Sequence, residues 1–214
     1  MKFKRSLLVS LVFLVIAVTV AIWLYPRLPA VVPTHWDLHG RINGTMPRFW
    51  GAAMPALLIA GLAALTWVLP VISPRRFEIT PFAHVYVLVM LASQALVLVL
   101  GMATLLFAVG YPVAMPKVAM LGVGALFVIL GNYMGKLRKN FFIGIRTPWT
   151  LASDAVWERT HRFGGWLFML AGLLVIAVTL SDAPAWLPIT LLGAACFIPA
   201  IYSLVIYRRM PAED

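Results

Sequence analysis

Long runs of apolar residues, separated by shorter polar segments, dominate the chain. Six runs are long enough, or nearly so, to cross a hydrocarbon core of about 30 Å as a helix, which takes roughly 20 residues. They cover residues 6–25, 51–70, 83–110, 117–135, 163–180 and 186–207. The third run exceeds the thickness of the core, so its helix is expected to tilt or protrude. The pattern predicts an all-α integral membrane protein, a six-transmembrane-helix bundle formed as a single domain by residues 1–214.

Composition supports a membrane protein and limits the chemistry. Of the 214 residues, 63% are hydrophobic and 11% are charged, which leaves too little polar surface for a soluble domain of this length. The single cysteine, Cys196, lies within an apolar run, so neither a disulfide framework nor a cysteine-based metal cluster is expected. The formal charge is +10, but no basic segment stands apart from the apolar runs, so we expect no direct nucleic-acid partner.

The distribution of the basic residues predicts the orientation. If the N-terminus is cytoplasmic, 13 of the 17 lysines and arginines fall in cytoplasmic segments. The other four are Arg27, Arg41, Arg48 and Lys117. This is the positive-inside bias of plasma-membrane proteins. We therefore predict a multi-pass protein of the bacterial plasma (inner) membrane that is N-in/C-in, with one long outer loop, residues 26–50, and one long inner loop, residues 136–162.

The apolar runs contain few polar residues. Gln94 and Asn132 lie within them, but no Asp, Glu, Lys or Arg does so at mid-membrane. Proton- and ion-coupled transporters usually keep ionisable residues there, so this absence argues against coupled transport. Small residues at Gly131-x-x-x-Gly135 and in the run that begins at Gly193 predict close helix packing.

The outer loop combines prolines with turn residues. Four prolines predict an extended first half, because proline fixes φ and disfavours helix at its predecessor. Asn43-Gly44 is a turn signal, and Gly40 supplies the positive φ that a sharp bend needs.

The same loop contains a spacing that permits metal binding. If residues 35–39 are extended, His35, Asp37 and His39 point to one side, and if they are helical, only His35 and His39 share a face. Either backbone would let two imidazoles approach one metal ion, with the carboxylate as a third ligand or as a hydrogen-bond partner of a ligand. HxDxH is not a specific zinc signature, however, and no further His or Cys follows on the outer side. The competing interpretation is a shaped recognition loop in which Asp37 closes an Asx turn. We favour this interpretation and expect no cofactor.

The inner loop leads from the fourth apolar run into the fifth. Gly144 indicates a turn or a close approach, and Pro148 stops any helix that precedes Trp149. Ser153 is a plausible N-cap. The sequence predicts a short helix in the headgroup region with Val156, Trp157 and Thr160 on one face. Glu158 and Arg162 are spaced for an ion pair.

Both loops resemble a known family. The inner loop and the end of the run before it contain Gly131-Asn132, a turn at residues 136–140, the segment 143–151, Trp157 and the segment 160–165. Together these are similar to the signature of the SdpI family, bacterial immunity proteins against the Sdp killing-factor peptide. The resemblance covers residues 117–182, and residues 10–60 with the outer loop are similar to the DUF1648 domain that accompanies it. The inner-loop residues singled out are Asn132, Asn140, Gly144, Arg146, Thr147, Pro148, Trp149, Trp157 and Arg162.

The resemblance implies a membrane immunity protein that gives resistance to a membrane-active peptide toxin, without catalytic residues. It also implies signal transduction, in which the protein holds a cytoplasmic repressor at the membrane. The expected partners are membrane lipid, a peptide toxin on the outer face, and that repressor. Two alternatives remain open: a transporter or exporter of a peptide or lipid, and a metal-dependent membrane enzyme that uses the outer HxDxH loop.

Overall fold

A computed structural model shows the architecture. It describes residues 2–210, with all side chains in that range except those of residues 2, 3 and 76, so residue 1 and residues 211–214 of the predicted domain lie outside the described residues. The helices are α1 (Lys2–Leu24), α2 (Arg48–Ile72), α3 (Ala83–Ala108), α4 (Met115–Met134), α5 (Pro148–Ala152), α6 (Asp154–Leu180) and α7 (Trp186–Arg209). All except α5 are long and apolar enough to span a membrane, which confirms the six predicted spans.

The fifth span differs from the prediction at its start. Helix α6 begins at Asp154 and continues without a break to Leu180, so the prediction of a separate short helix in the headgroup region is wrong. Val156, Trp157 and Thr160 do share a buried face, but it is the first part of the spanning helix and packs into the bundle. The predicted N-cap is confirmed, because the Ser153 hydroxyl accepts a hydrogen bond from the Val156 N–H at 3.4 Å.

Helices α4 and α6 make the closest helix contact, through glycines. A Cβ added at Gly172 would lie 2.5 Å from the Gly124 carbonyl oxygen, and one at Gly165 would lie 2.8 Å from that of Gly131. Only glycine permits backbones to approach this closely. The predicted role of Gly131 is thus confirmed, whereas Gly193, with nothing within 4 Å of an added Cβ, makes no such approach.

A β-hairpin interrupts the helical pattern between α1 and α2. Strands β1 (Val31–Trp36) and β2 (Ile42–Pro47) pair antiparallel. Their extended backbone confirms the expectation from the prolines. Val32 is fully buried in a cluster with Leu24, Leu28, Ala52 and Leu105, which anchors the hairpin on α1, α2 and α3.

The two long loops lie at opposite ends of the bundle. We call the end with residues 26–50 the hairpin end, and the end with residues 136–153 the elbow end. The largest buried cluster, which includes Phe82, Tyr86 and Trp157, packs beside the elbow. The relative placement of the loops agrees with the sequence analysis, while the side that faces the cytoplasm stays a prediction.

Candidate functional site

Asp37 organises the turn of the hairpin. Its Oδ1 accepts hydrogen bonds from the backbone N–H groups of His39 and Arg41, both at 2.9 Å. Its Oδ2 accepts from Arg41 Nε at 2.6 Å. The Arg41 backbone N–H is the largest of the interactions that hold the pKa of this carboxyl below its ordinary 3.8, and the Arg41 side chain and the His39 N–H add to it. The predicted Asx turn is confirmed, as is the positive φ of Gly40, +78°.

The Asn43-Gly44 turn prediction is wrong. Both residues lie within β2, because the carboxylate of Asp37 places the turn earlier in the chain. Gly44 instead lies opposite His35, where an added Cβ would be 2.8 Å from the His35 Cβ. The glycine therefore permits close cross-strand packing.

The three predicted metal ligands do not point to one side. The chain turns at Asp37, His35 Nδ1 hydrogen-bonds the Asn43 side-chain oxygen, and His39 lies in the turn. Among residues 2–210, leaving aside the three undescribed side chains, no group of three or more His, Cys, Asp or Glu is arranged to hold a metal ion. Residues 35–39 are thus neither extended throughout nor helical, and the three residues are not grouped as ligands of one ion.

A cavity of about 670 Å³ lies between the hairpin and the adjacent helix ends. Trp36 forms one wall and packs edge-on against Phe107 of α3, with ring centroids 5.3 Å apart. At the rim, Lys117 Nζ lies 2.9 Å from Asp182 Oδ1. The remaining lining is mainly apolar and includes Leu38, Leu100, Met115, Pro116, Ala119, Met120 and Pro188. An apolar cavity with a few polar groups at its mouth suits an amphipathic ligand.

At the elbow end, Asn140 holds the chain in a fixed turn. It is fully buried, and its Oδ1 accepts from the N–H groups of Phe142 and Ile143, both at 2.8 Å. Its Nδ2 donates to the carbonyl oxygens of Arg138 at 2.8 Å and Ile143 at 3.1 Å. One side chain thus satisfies four backbone groups that cannot pair within a helix here.

A stacked pair of aromatic rings connects this turn to α6. Trp157 Nε1 donates to the Leu137 carbonyl oxygen at 2.8 Å, and its ring stacks on His161 with centroids 3.9 Å apart. His161 Nε2 accepts from the Ile145 N–H at 2.9 Å, while Nδ1 lies 2.8 Å from the Trp157 carbonyl oxygen. Only the neutral ring with its proton on Nδ1 makes both bonds. Gly144, with φ of +112°, lies against this ring, where a Cβ would clash.

Thr147 caps the short helix α5. Its hydroxyl accepts from the Thr150 N–H at 3.2 Å, and its own N–H donates to the Thr150 hydroxyl at 2.9 Å. Pro148 starts this helix at a position that needs no N–H, which agrees with its predicted role as a stop for any preceding helix. The Trp149 indole N–H donates to the Ser203 hydroxyl of α7, so the elbow is attached to two spanning helices.

The other motif residues lie on the surface. Arg146 is exposed and donates to the Phe141 carbonyl oxygen. Arg162 pairs with Glu158 at 2.5 Å, with both side chains about two-thirds exposed, so this confirmed ion pair contributes little stability. Asn132 is exposed on α4 and makes no hydrogen bond with its side chain among the described residues. The elbow therefore combines a polar interior with a basic exterior.

Sequence analysis assigned no role to three residues of this interior. His161, Thr150 and Ser203 are buried and hydrogen-bonded within the elbow or to it. The four-residue spacing of Trp157 and His161 places both on one helix face and was the available signal. Ser203 lies in a distant apolar run, and nothing local in the sequence connects it to Trp149.

Comparisons with known proteins agree with both loops. Residues 136–203 match the SdpI/YfhL protein family, and residues 12–60 match a domain of unknown function, DUF1648. The chain is 26% identical over 208 residues to a protein named Immunity protein SdpI from Bacillus subtilis (strain 168), covering 95% of this chain and 96% of that protein. No solved structure matches the chain. The protein is therefore a multi-pass bacterial membrane protein whose residues 136–203 are similar to the SdpI/YfhL protein family and whose residues 12–60, ahead of them, are similar to DUF1648.

Proposed function

We propose that this protein is a membrane immunity protein that protects its host from a membrane-active peptide toxin. The observation that carries the proposal is the similarity to Immunity protein SdpI, which extends over 95% of this chain and includes both long loops. Two separate structured ends on a bundle of apolar spans suit a protein that meets a ligand on one side and a partner on the other.

The hairpin end is the proposed contact site for the toxin. Its cavity has an apolar lining and an ion pair at the rim, which suits an amphipathic peptide segment. The elbow end is the proposed docking site for a cytoplasmic repressor, because Arg138, Arg146 and Arg159 are exposed around a rigid core. Binding at the first end would change the second through the α4–α6 pair, since these helices run from one end to the other.

We also propose that protection requires no catalysis by this protein. The polar groups most suited to chemistry are used within the fold, where they position backbone. Asp37 holds a turn through Arg41, and His161 holds Ile145 against α6. Protection would then depend on whether the peptide occupies the hairpin-end cavity and on the shape of that cavity.

The first experiment tests protection and the cavity together. A sensitive bacterial host that expresses the full chain is exposed to the Sdp killing-factor peptide, and survival is compared with that of the empty host. Ala119→Phe places a large ring in the cavity, and Ala125→Phe places the same ring on an exposed face of α4 outside it. We expect survival with the parent and Ala125→Phe and loss of survival with Ala119→Phe at equal membrane amounts. Equal survival of all three would exclude the cavity from the mechanism of protection. Death of the host that expresses the parent protein would refute immunity to this peptide.

A second experiment tests signalling separately. A reporter behind the promoter of the protein's own gene is measured before and after peptide exposure. Arg138→Gln with Arg159→Gln removes two exposed cations from the elbow end and none of its buried hydrogen bonds. We expect induction to be lost and survival to be kept. Unchanged induction would exclude these arginines from repressor docking.

One buried group favours transport as a second candidate. Gln94 in α3 is fully buried, and neither its side-chain oxygen nor its nitrogen has a hydrogen-bond partner among the described residues. An unpaired amide within the bundle is costly and would be explained by a polar substrate path. Transport predicts that dissipating the proton gradient abolishes protection and that labelled peptide accumulates in Gln94→Leu cells. Protection that survives both treatments would exclude it.

A further inference from the structure

A groove between α1 and α2 is separate from the hairpin-end cavity. Its volume is about 460 Å³, within the range of about 300–1,000 Å³ typical of small-molecule sites. It lies wholly within the DUF1648 region, residues 12–60. One wall is a stripe along α1, and the other is formed largely by alanines of α2. The lining residues are Leu14, Val18, Ala21, Ile22, Tyr25, Pro26, Phe49, Ala52, Ala53, Ala56, Leu57 and Ala60.

The length and direction of the groove match one acyl chain. From Leu14 to Tyr25 the α1 stripe rises about 16 Å at 1.5 Å per residue. This is about half of the roughly 30 Å hydrocarbon core, which is the depth of one leaflet. The flanking Ile22 and Leu57 are 69% and 55% exposed, so the groove opens sideways to the lipid. The alanines of α2 leave the space that larger side chains would fill.

One arginine lies beside the groove at its hairpin end, at headgroup depth. Arg48 follows β2 and has its Cζ 5.8 Å from the ring centroid of Tyr25, a lining residue. Its Nε donates to the Pro29 carbonyl oxygen at 3.2 Å, which directs the guanidinium beside the groove. Arg27 has its Cζ 5.2 Å from the ring of Trp23, which lies on the face of α1 opposite to the groove residues Leu14 and Val18, so this arginine is directed away from the groove. Arg48 forms no ion pair within the part of the chain that the structure describes.

We propose that this groove binds an anionic phospholipid of the leaflet at the hairpin end. One acyl chain lies along α1 between the alanines of α2, and the phosphate is held by Arg48. Guanidinium groups are suited to phosphate, and an apolar groove without an acidic residue disfavours cationic ligands. The bound lipid would fill the space between α1 and α2 beneath the hairpin and so stabilise the hairpin on these helices. This proposal stands independently of the immunity function.

Native mass spectrometry of the full-length protein measures the lipid preference. The protein is titrated with phosphatidylglycerol or phosphatidylcholine of identical chains. We expect the parent to retain one phosphatidylglycerol and to bind phosphatidylcholine more weakly. Arg48→Gln should weaken phosphatidylglycerol binding about fivefold, the effect of one basic side chain at an anionic membrane surface, and leave phosphatidylcholine binding unchanged. Arg27→Gln, which removes the same charge on the Trp23 face of α1, away from the groove, is the matched control and should leave phosphatidylglycerol binding unchanged.

A second pair of variants tests the groove. Ala60→Phe fills its deep end, and Ala64→Phe places the same ring one turn deeper on α2, outside the lining. We expect only Ala60→Phe to reduce retention of both lipids. In the unaltered protein, phosphatidylglycerol with a photoreactive acyl chain should crosslink to residues 14–25 and 49–60, so a misfolded variant does not leave the proposal undecided. Equal retention of both lipids, no effect of Arg48→Gln, or crosslinks elsewhere would overturn it. Crosslinks between two protein copies through the groove would assign it to a dimer instead.

Discussion

Replacing Asn140 by alanine should open the elbow without unfolding the bundle. The substitution removes four hydrogen bonds between a fully buried amide and the backbone of Arg138, Phe142 and Ile143. Each bond contributes about 0.5–1.5 kcal/mol net, so their loss amounts to about 2–6 kcal/mol. The spanning helices retain their own hydrogen bonds, so the change is expected as local opening.

Amide hydrogen exchange followed by mass spectrometry measures this opening. A loss of about 2 kcal/mol in local stability corresponds to roughly 30-fold faster exchange. We expect at least this acceleration in peptides from 137–147 and little change in the spanning parts of α3 and α4. The matched control is Asn132→Ala, which removes an exposed asparagine from α4 and should change local stability by less than about 0.5 kcal/mol.

The substitution Asn140→Asp distinguishes the hydrogen bonds that the side chain accepts from those that it donates. The carboxylate still accepts from Phe142 and Ile143 but loses both donated bonds and places an anionic oxygen near the Arg138 carbonyl, where the amide nitrogen now lies at 2.8 Å. We expect this variant to open the elbow as well. If Asn140→Ala exchanges within threefold of the parent, the buried amide does not hold the elbow and the reasoning is refuted.

Three further predictions concern other parts of the fold. Gly131→Ala should lower the thermal unfolding temperature in detergent, with a destabilisation of about 1–3 kcal/mol, because its Cβ would meet α6 backbone, whereas Gly193→Ala should be neutral. Gly144→Ala should destabilise the elbow by about 1–3 kcal/mol, measured by hydrogen exchange, because of its φ of +112° and the His161 ring. The lowered pKa of Asp37 means that its contribution to hairpin stability is present above pH 3.8 and is lost as pH falls through the lower folded value. Carboxyl-carbon NMR should show this titration, and Arg41→Ala should raise the midpoint only in part, since the Arg41 backbone N–H remains. An unchanged midpoint would contradict the part assigned to the Arg41 side chain.

Much of the hairpin could be predicted from single residues, but its register could not. Proline and Gly40 restrict their own backbone, so the extended segment and the positive φ follow from residue type. Asn43-Gly44 has the same local turn preference wherever it occurs. Here it lies within a strand, because Asp37 accepts three hydrogen bonds across an earlier turn and because Gly44 packs against His35.

The elbow also combines features that the sequence predicts with features that depend on the tertiary structure. Local patterns in the sequence predict the segment in which it lies, residues 136–162, its N-cap at Ser153 and its exposed Glu158–Arg162 ion pair. Asn140 bonds only to backbone groups within three residues of it, whereas His161 accepts from the Ile145 N–H, 16 residues away and outside α6. The attachment of Trp149 to Ser203 joins residues more than 50 positions apart, which no local pattern contains.

The number of spans, their approximate bounds and the two long loops were determined by sequence alone. Hydropathy acts on each segment separately, since every apolar run of sufficient length gains by leaving water whatever its neighbours do. Which helices touch is a different problem, because lipid is as apolar as the helix surface and gives no preference by burial. Only the tertiary structure decided that Gly124, Gly131, Gly165 and Gly172 form the α4–α6 contact, while Gly193 faces open space. It also decided where the hairpin cavity and the α1–α2 groove lie, since both are spaces between elements and belong to no single segment of the chain.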